Sequence, residues 1–147
     1  MAIENKVMCC AILIKGNQIL LAENKKGSRL NYSFLSTQYK KGTEEECIEN
    51  YLVSKLNIEA KVIKKVYEYE GHDNLDSYFL LNWTGGVLSK KPEEISDGER
   101  SFTPILINMS KLNDTLVMPE EIKEQLILDY EKYGKNLNEK LQTVYEQ

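Results

Sequence analysis

Histidine is almost missing from this chain: His72 is the single copy in 147 residues. That excludes zinc sites built on several imidazoles, and the adjacent pair Cys9 and Cys10 lacks ligand spacing. Cysteine is sparse as well. The three thiols, Cys9, Cys10 and Cys47, are odd in number, lie in apolar segments and follow no signal-like stretch. This is the pattern of free thiols in a reducing compartment, so a cytoplasmic location is expected. No apolar run approaches the ~20 residues of a membrane-spanning helix, and no membrane partner is expected. Excess positive charge is also lacking: 19 Lys and Arg stand against 23 Asp and Glu, for a net charge of -4. The lysine pairs at 25/26, 40/41, 64/65 and 90/91 read as solvated turns and strand edges, so nucleic acid is not an expected partner. With 41% hydrophobic and 29% charged residues, the remaining composition is that of one globular domain able to bury its own core.

Val7 to Ile14 is a continuous apolar run of strand length, and Lys15-Gly16-Asn17 supplies turn residues before a second run from Gln18 to Ala22. The pair predicts a hairpin in a sheet covered on both faces. Glu23 to Leu30 reads as a polar loop. Thr43 predicts a helix N-cap, with Glu46 in the third position of a capping box and Glu44 to Glu46 at the positive end of the dipole. Ile48, Leu52 and Leu56 form the core stripe of that helix, while Cys47, Tyr51, Ser54 and Lys55 form a neighbouring face turned toward the loop. Residues 60–69 and 75–83 predict a second hairpin, with Ile63, Lys65, Tyr67 and Tyr69 on one face and His72 in the turn. Residues 89–101 read as an acidic loop containing Glu93, Glu94, Asp97 and Glu99, and residues 103–109 as a further strand. Pro119 opens a helix with Ile122, Leu126, Ile127 and Tyr130 in core spacing and Gly134 at its end. Leu137, Leu141, Val144 and Tyr145 predict a short last helix, so the expected division is a domain over residues 1–134 and an extension over 135–147.

This order of elements resembles the Nudix (MutT-like) hydrolases over nearly the whole chain. In that family an aromatic entry leads through a glycine-containing loop into a helix carrying R-E-x-x-E-E-x-G. Tyr32-Ser33-Phe34-Leu35 falls on the entry, Ser36-Thr37 on paired glycines and Gly42 on the later loop glycine. Cys47 takes the small-residue position, Leu52 the buried leucine, and Leu56-Asn57-Ile58 the closing residue, glycine and apolar residue. PILINMSKL resembles the late strand, and PEEIKEQLILDY resembles the last helix of bacterial members. The resemblance implies an α/β/α sandwich with a central mixed sheet, the box helix and a C-terminal helix.

It also implies a magnesium-dependent diphosphate hydrolase, but this box is degenerate. Asn50-Tyr51 stands for Arg-Glu, and Ser54-Lys55 for Glu-Glu. Magnesium is held by hard oxygen ligands that include one or two carboxylates. A phenol, a hydroxyl and an ammonium do not supply them. Glu46 and Glu49, one helical turn apart, are the nearest substitutes, and Glu99 could reach a site from the acidic loop.

Three readings follow. In the first, a Nudix fold without efficient hydrolysis keeps a cleft for a nucleotide-like or other phosphorylated small molecule. Its binding residues would be Arg29, Tyr39, Tyr51, Ser54 and Lys55, with Lys55 on phosphate, Tyr51 or Tyr39 on a base, and no cofactor. In the second, an active hydrolase of nucleoside diphosphate derivatives uses Mg or Mn on Glu46, Glu49 or the acidic loop. In the third, the chain is a structural or regulatory homodimer.

Overall fold

The middle of the long apolar run lies in β1 (Lys6–Lys15), which sends successive side chains to two different layers. Cys9, Ala11 and Leu13 enter one core cluster, and Cys10 and Ile12 enter the other. An uninterrupted apolar strand is what two-sided burial requires. The computed structural model describes residues 6–26, 29–71, 73–88, 95–97, 100–137 and 139–140. His72, Glu93, Glu94, Glu99, Leu141, Val144 and Tyr145 lie outside them.

In chain order β1 is followed by β2 (Gln18–Lys26), β3 (Arg29–Gln38), α1 (Glu44–Leu56), β4 (Ile58–Glu70) and β5 (Asn74–Gly86). Then come β6 (Ile95–Asp97), β7 (Arg100–Asn108), a 3₁₀ segment (Met109–Asp114), β8 (Val117–Met118) and α2 (Glu120–Tyr133). The strands form one mixed sheet in the order β4-β5-β1-β3-β2-β7-β6, with β8 added beside β3. β1 runs parallel to β5 and antiparallel to β3. One face of the sheet carries α1 over Leu13, Leu20, Leu35, Phe79 and Leu81; the other carries α2 over Ile12, Leu21, Phe34, Tyr78 and Leu80. The predicted three-layer α/β arrangement is therefore present.

Two segments differ from the sequence reading. Residues 23–26 and 29–30, expected as loop, extend the β2–β3 hairpin, with Glu23 paired to Tyr32 and Lys26 to Arg29. Strand pairing uses the backbone, so polar side chains on a ladder that projects beyond the core do not prevent it. Their groups also pair across the ladder: Tyr32 Oη donates to Glu23 Oε2 at 3.1 Å, and Asn24 Nδ2 donates to Ser33 Oγ at 3.1 Å. Within the expected acidic loop, Ile95–Asp97 pairs with β7 as a short strand at the end of the sheet.

β4 departs from simple alternation. Its register against β5 shifts between Glu59 and Ala60, between Val62 and Lys64, and between Lys65 and Tyr67. Bulges of this kind re-aim side chains. Ile58, Ala60 and Val62 face α1, whereas Ile63, Val66, Tyr67 and Tyr69 join the α2 layer. Tyr67 Oη donates to the Asp129 carboxylate of α2. Beyond the expected boundary at 134, Leu137 is buried in that same layer.

Candidate functional site

α1 begins where the cap chemistry places it. Thr43 is extended, with φ -97° and ψ 154°, and its Oγ1 accepts from the Glu46 N–H at 3.1 Å. The entry is pinned by Tyr39, whose hydroxyl donates to the Gly42 carbonyl at 2.6 Å while its ring packs against the α1 layer. Gly42 has φ +80°, and a Cβ there would lie 3.3 Å from Glu46 Oε2. Ser36 and Thr37, standing for the paired glycines, continue β3 in register opposite Cys10 and Cys9. That part of the motif is a regular ladder here.

At the other end Asn57 caps α1 in the left-handed region, with φ 59° and ψ 36°, and its N–H reaches the carbonyls of Leu52 and Val53. Asparagine tolerates this conformation better than other non-glycine residues, which accounts for its place at a family glycine.

Between the caps the helix divides its side chains differently from the expected faces. Ile48, Leu52 and Leu56 are buried as predicted, but Tyr51 joins them at 6% exposure. It lies three residues beyond Ile48 on the inward arc and packs in the layer formed by β1, β3 and α1. A buried ring in this position does not stack on a ligand base. Asn50, Ser54 and Lys55 are exposed. Ser54 Oγ donates to the Tyr51 carbonyl at 3.4 Å.

The two substitute carboxylates also separate. Glu49 Oε2 accepts from the backbone N–H of Val62 at 2.9 Å, and Glu49 Oε1 lies 3.9 Å from Lys61 Nζ. Val62 flanks a bulge in β4, the terminal strand of the sheet, so Glu49 satisfies a donor of an open edge. Glu46 is exposed beside Gly42. Among the described residues no group of three or more His, Cys, Asp or Glu side chains is arranged to hold a metal ion. The groups α1 presents do not supply the carboxylates that magnesium requires.

The remaining sequence candidates are dispersed. Arg29 is exposed at the far tip of β3, roughly 30 Å along the strand from Gln38, where the chain turns toward α1. Tyr39 is committed to the loop, and Lys55 sits on the last turn of α1. None of them lines either of the two cavities near these elements.

Two cavities remain near these elements. A groove of about 590 Å³ lies between the first turn of α1 and β4, bordered by Glu44, Glu45, Lys64, Lys65, Glu68 and Phe79. Three acids and two lysines border it, and one pair of them is joined, with Lys65 Nζ 2.9 Å from Glu68 Oε1.

A second cavity, of about 150 Å³, lies on the opposite face, where β1, β3 and β5 meet the approach to α2. Met8, Phe34, Tyr78 and Met118 give it apolar walls, and Ser33, Ser36, Asn74 and Asp76 give it polar groups. Phe34 and Tyr78 meet edge to face, with ring centroids 5.4 Å apart. Asp76 Oδ1 is buried with no hydrogen-bond partner among the described residues. Burial holds its carboxyl above the usual carboxylate range. Sequence reading missed this residue, although one acid inside the strand NLDSYFLL was a signal that could have singled it out. Cys9, on the α1 side, is inert at neutral pH, because burial first, then Cys47 and Glu44, pushes its thiol up to about 12.

No family model matches the sequence, and no curated protein matches it. Among solved structures, a Nudix-family hydrolase from Clostridium perfringens superposes with a TM-score of 0.64 over 97% of this chain and 99% of its own, at 10% identity. An ADP-ribose pyrophosphatase from Streptococcus suis gives 0.62 over 97% and 93%, at 11% identity. A Nudix hydrolase from Nitrosomonas europaea gives 0.63 over 91% and 74%, at 15% identity. At these identities the likeness establishes the fold, and the fold is that of the Nudix hydrolases.

Proposed function

We propose that this chain is a binding module on the Nudix fold, taking a nucleotide-like or other phosphorylated small molecule, with metal-dependent hydrolysis lost or strongly impaired. The observation that carries this reading is the outward face of α1. It offers an amide, a hydroxyl and an ammonium at Asn50, Ser54 and Lys55, while Glu49 is spent on the edge of the sheet. Metal-assisted phosphoryl chemistry draws on cations that polarise the linkage and activate water, and those cations need carboxylates. A site without the carboxylates retains a shape and loses that source of catalysis.

The ligand class rests on the fold and on the Streptococcus suis neighbour, which is an ADP-ribose pyrophosphatase. We place the ligand in the cavity beside Asp76, which combines polar and apolar walls on this sheet. Two residues after Ser36 the strand ends, and the exposed Lys40 and Lys41 follow in the turn toward α1.

Calorimetry against nucleoside mono- and diphosphates in metal-free buffer tests the binding half, with micromolar to millimolar affinity expected. No heat from any nucleotide at millimolar concentration sinks it. Phosphate release from nucleoside diphosphate derivatives with magnesium or manganese tests the other half. Sustained turnover that disappears in Glu46→Gln would restore a hydrolase on substitute ligands.

A further inference from the structure

The cavity on the α2 side contains an acceptor that the fold leaves unmatched. Asp76 Oδ1 is buried in a lining whose other polar side chains are Ser33, Ser36, Asn74, Tyr78 and Cys10, and none of them reaches it. Ser33 Oγ already accepts from Asn24 Nδ2 at 3.1 Å. Asp76 lies opposite Met8 on β1 and Tyr69 on β4. Glu121 of α2 raises the Tyr69 phenol more strongly than Asp76 does, so this phenol answers first to another carboxylate. Lys6, the basic residue at the start of β1, is exposed and pairs in register with Asn74. No cation or N–H group among the described residues meets Oδ1.

A buried carboxylate oxygen without a donor costs free energy, and it repays that cost when a ligand supplies the donor. The space is about 150 Å³, enough for one flat ring system and too small for a whole nucleotide. Met8, Met118, Phe34 and Tyr78 line it with polarisable sulfur and ring edges, which suit an unsaturated planar group. A carboxylate has two oxygens and therefore matches two adjacent N–H donors in one plane.

From these features we infer that Asp76 is the specificity-determining residue of this cavity, recognising a planar group that presents two adjacent N–H donors, as the guanine edge and the guanidinium group both do. This rests on the cavity being the binding site of the proposed function and names what it selects. The phosphorylated tail lies outside the cavity and contributes equally to all bases. Discrimination comes from the base edge, because a ligand lacking one donor leaves the carboxylate partly unmatched.

The test compares GDP, IDP and ADP with methylguanidine by calorimetry in metal-free buffer, on the natural chain and on Asp76→Asn and Asp76→Ala. IDP lacks the exocyclic amino group and ADP presents no ring N–H. The expected result is that GDP binds roughly tenfold or more tighter than IDP and ADP, and that both variants abolish this preference while still binding weakly. Saturable methylguanidine binding that both variants lose, with no GDP preference, assigns the same carboxylate to a guanidinium ligand. Equal binding of the three nucleotides without methylguanidine binding, or a GDP preference that survives both variants, overturns the inference and leaves the proposed function standing. Failure of all nucleotides to bind removes the proposed function, and failure of methylguanidine as well removes the role of Asp76. Thermal melting of both variants shows whether a loss of binding comes from unfolding.

Discussion

Glu49 on α1 accepts the Val62 N–H of β4 at 2.9 Å, which makes a residue inside the degenerate box a structural tie between helix and sheet edge. Replacing it with alanine strips the bulged strand of that acceptor. The expected cost is about 1–2 kcal/mol, read as a lower urea midpoint. Glu49→Gln keeps an amide oxygen in place and should recover much of the loss. A metal ligand would behave differently, because its removal would change the response to magnesium rather than the stability without it.

Tyr51 is expected to report on the core. Tyr51→Ala should lower stability by about 3 kcal/mol in equilibrium unfolding, the order found for deleting a buried ring. Tyr51→Phe should leave nucleotide affinity unchanged in calorimetry.

Asp76 gives a pH dependence of definite sign. Burial raises its folded pKa above the unfolded value, so the folded state holds the proton more tightly. Its contribution is therefore most favourable below the ordinary carboxylate pKa and declines as pH rises through the raised one. Asp76→Asn removes the charge, so the variant should melt above the natural chain at neutral pH and converge with it in acid. The gain should be under about 1 kcal/mol, since the residue is only partly buried and solvent screens part of the penalty.

Gly86 marks the tightest backbone approach described here. With φ +79°, a Cβ at this position would fall 2.2 Å from the Asn57 carbonyl oxygen. Gly86→Ala must displace the junction between the end of β5 and the cap of α1. A loss of more than about 2 kcal/mol is expected by thermal or urea denaturation, exceeding the usual cost of alanine at positive φ.

Much of the fold is legible in local chemistry. Thr43 and the three glutamates after it mark the start of α1, the spacing of Ile48, Leu52 and Leu56 marks its inner side, and the two-sided burial of β1 is visible in an apolar run without alternation. What escapes a sequence reading depends on partners distant in the chain. The backbone pairing at Glu23–Lys26 leaves no apolar trace because the hairpin extends beyond the core. Tyr51 lies on the border of the helical stripe, and its burial is decided by β1 and β3 beneath it. The Asp76 cavity draws on three strands and the approach to α2, so no single segment carries its pattern. The changed box residues were visible from the start, whereas the engagement of Glu49 with Val62 became visible only once the bulges of β4 were placed.

β4 is a terminal strand, and such strands are commonly where a sheet frays. Here Val62 is bonded through Glu49 to one helix, and Tyr67 through Asp129 to the other. Peeling this strand away would detach both outer layers at once. The bulges therefore turn the sheet margin into a keystone, and hydrogen exchange along β4 should resemble that of an interior strand.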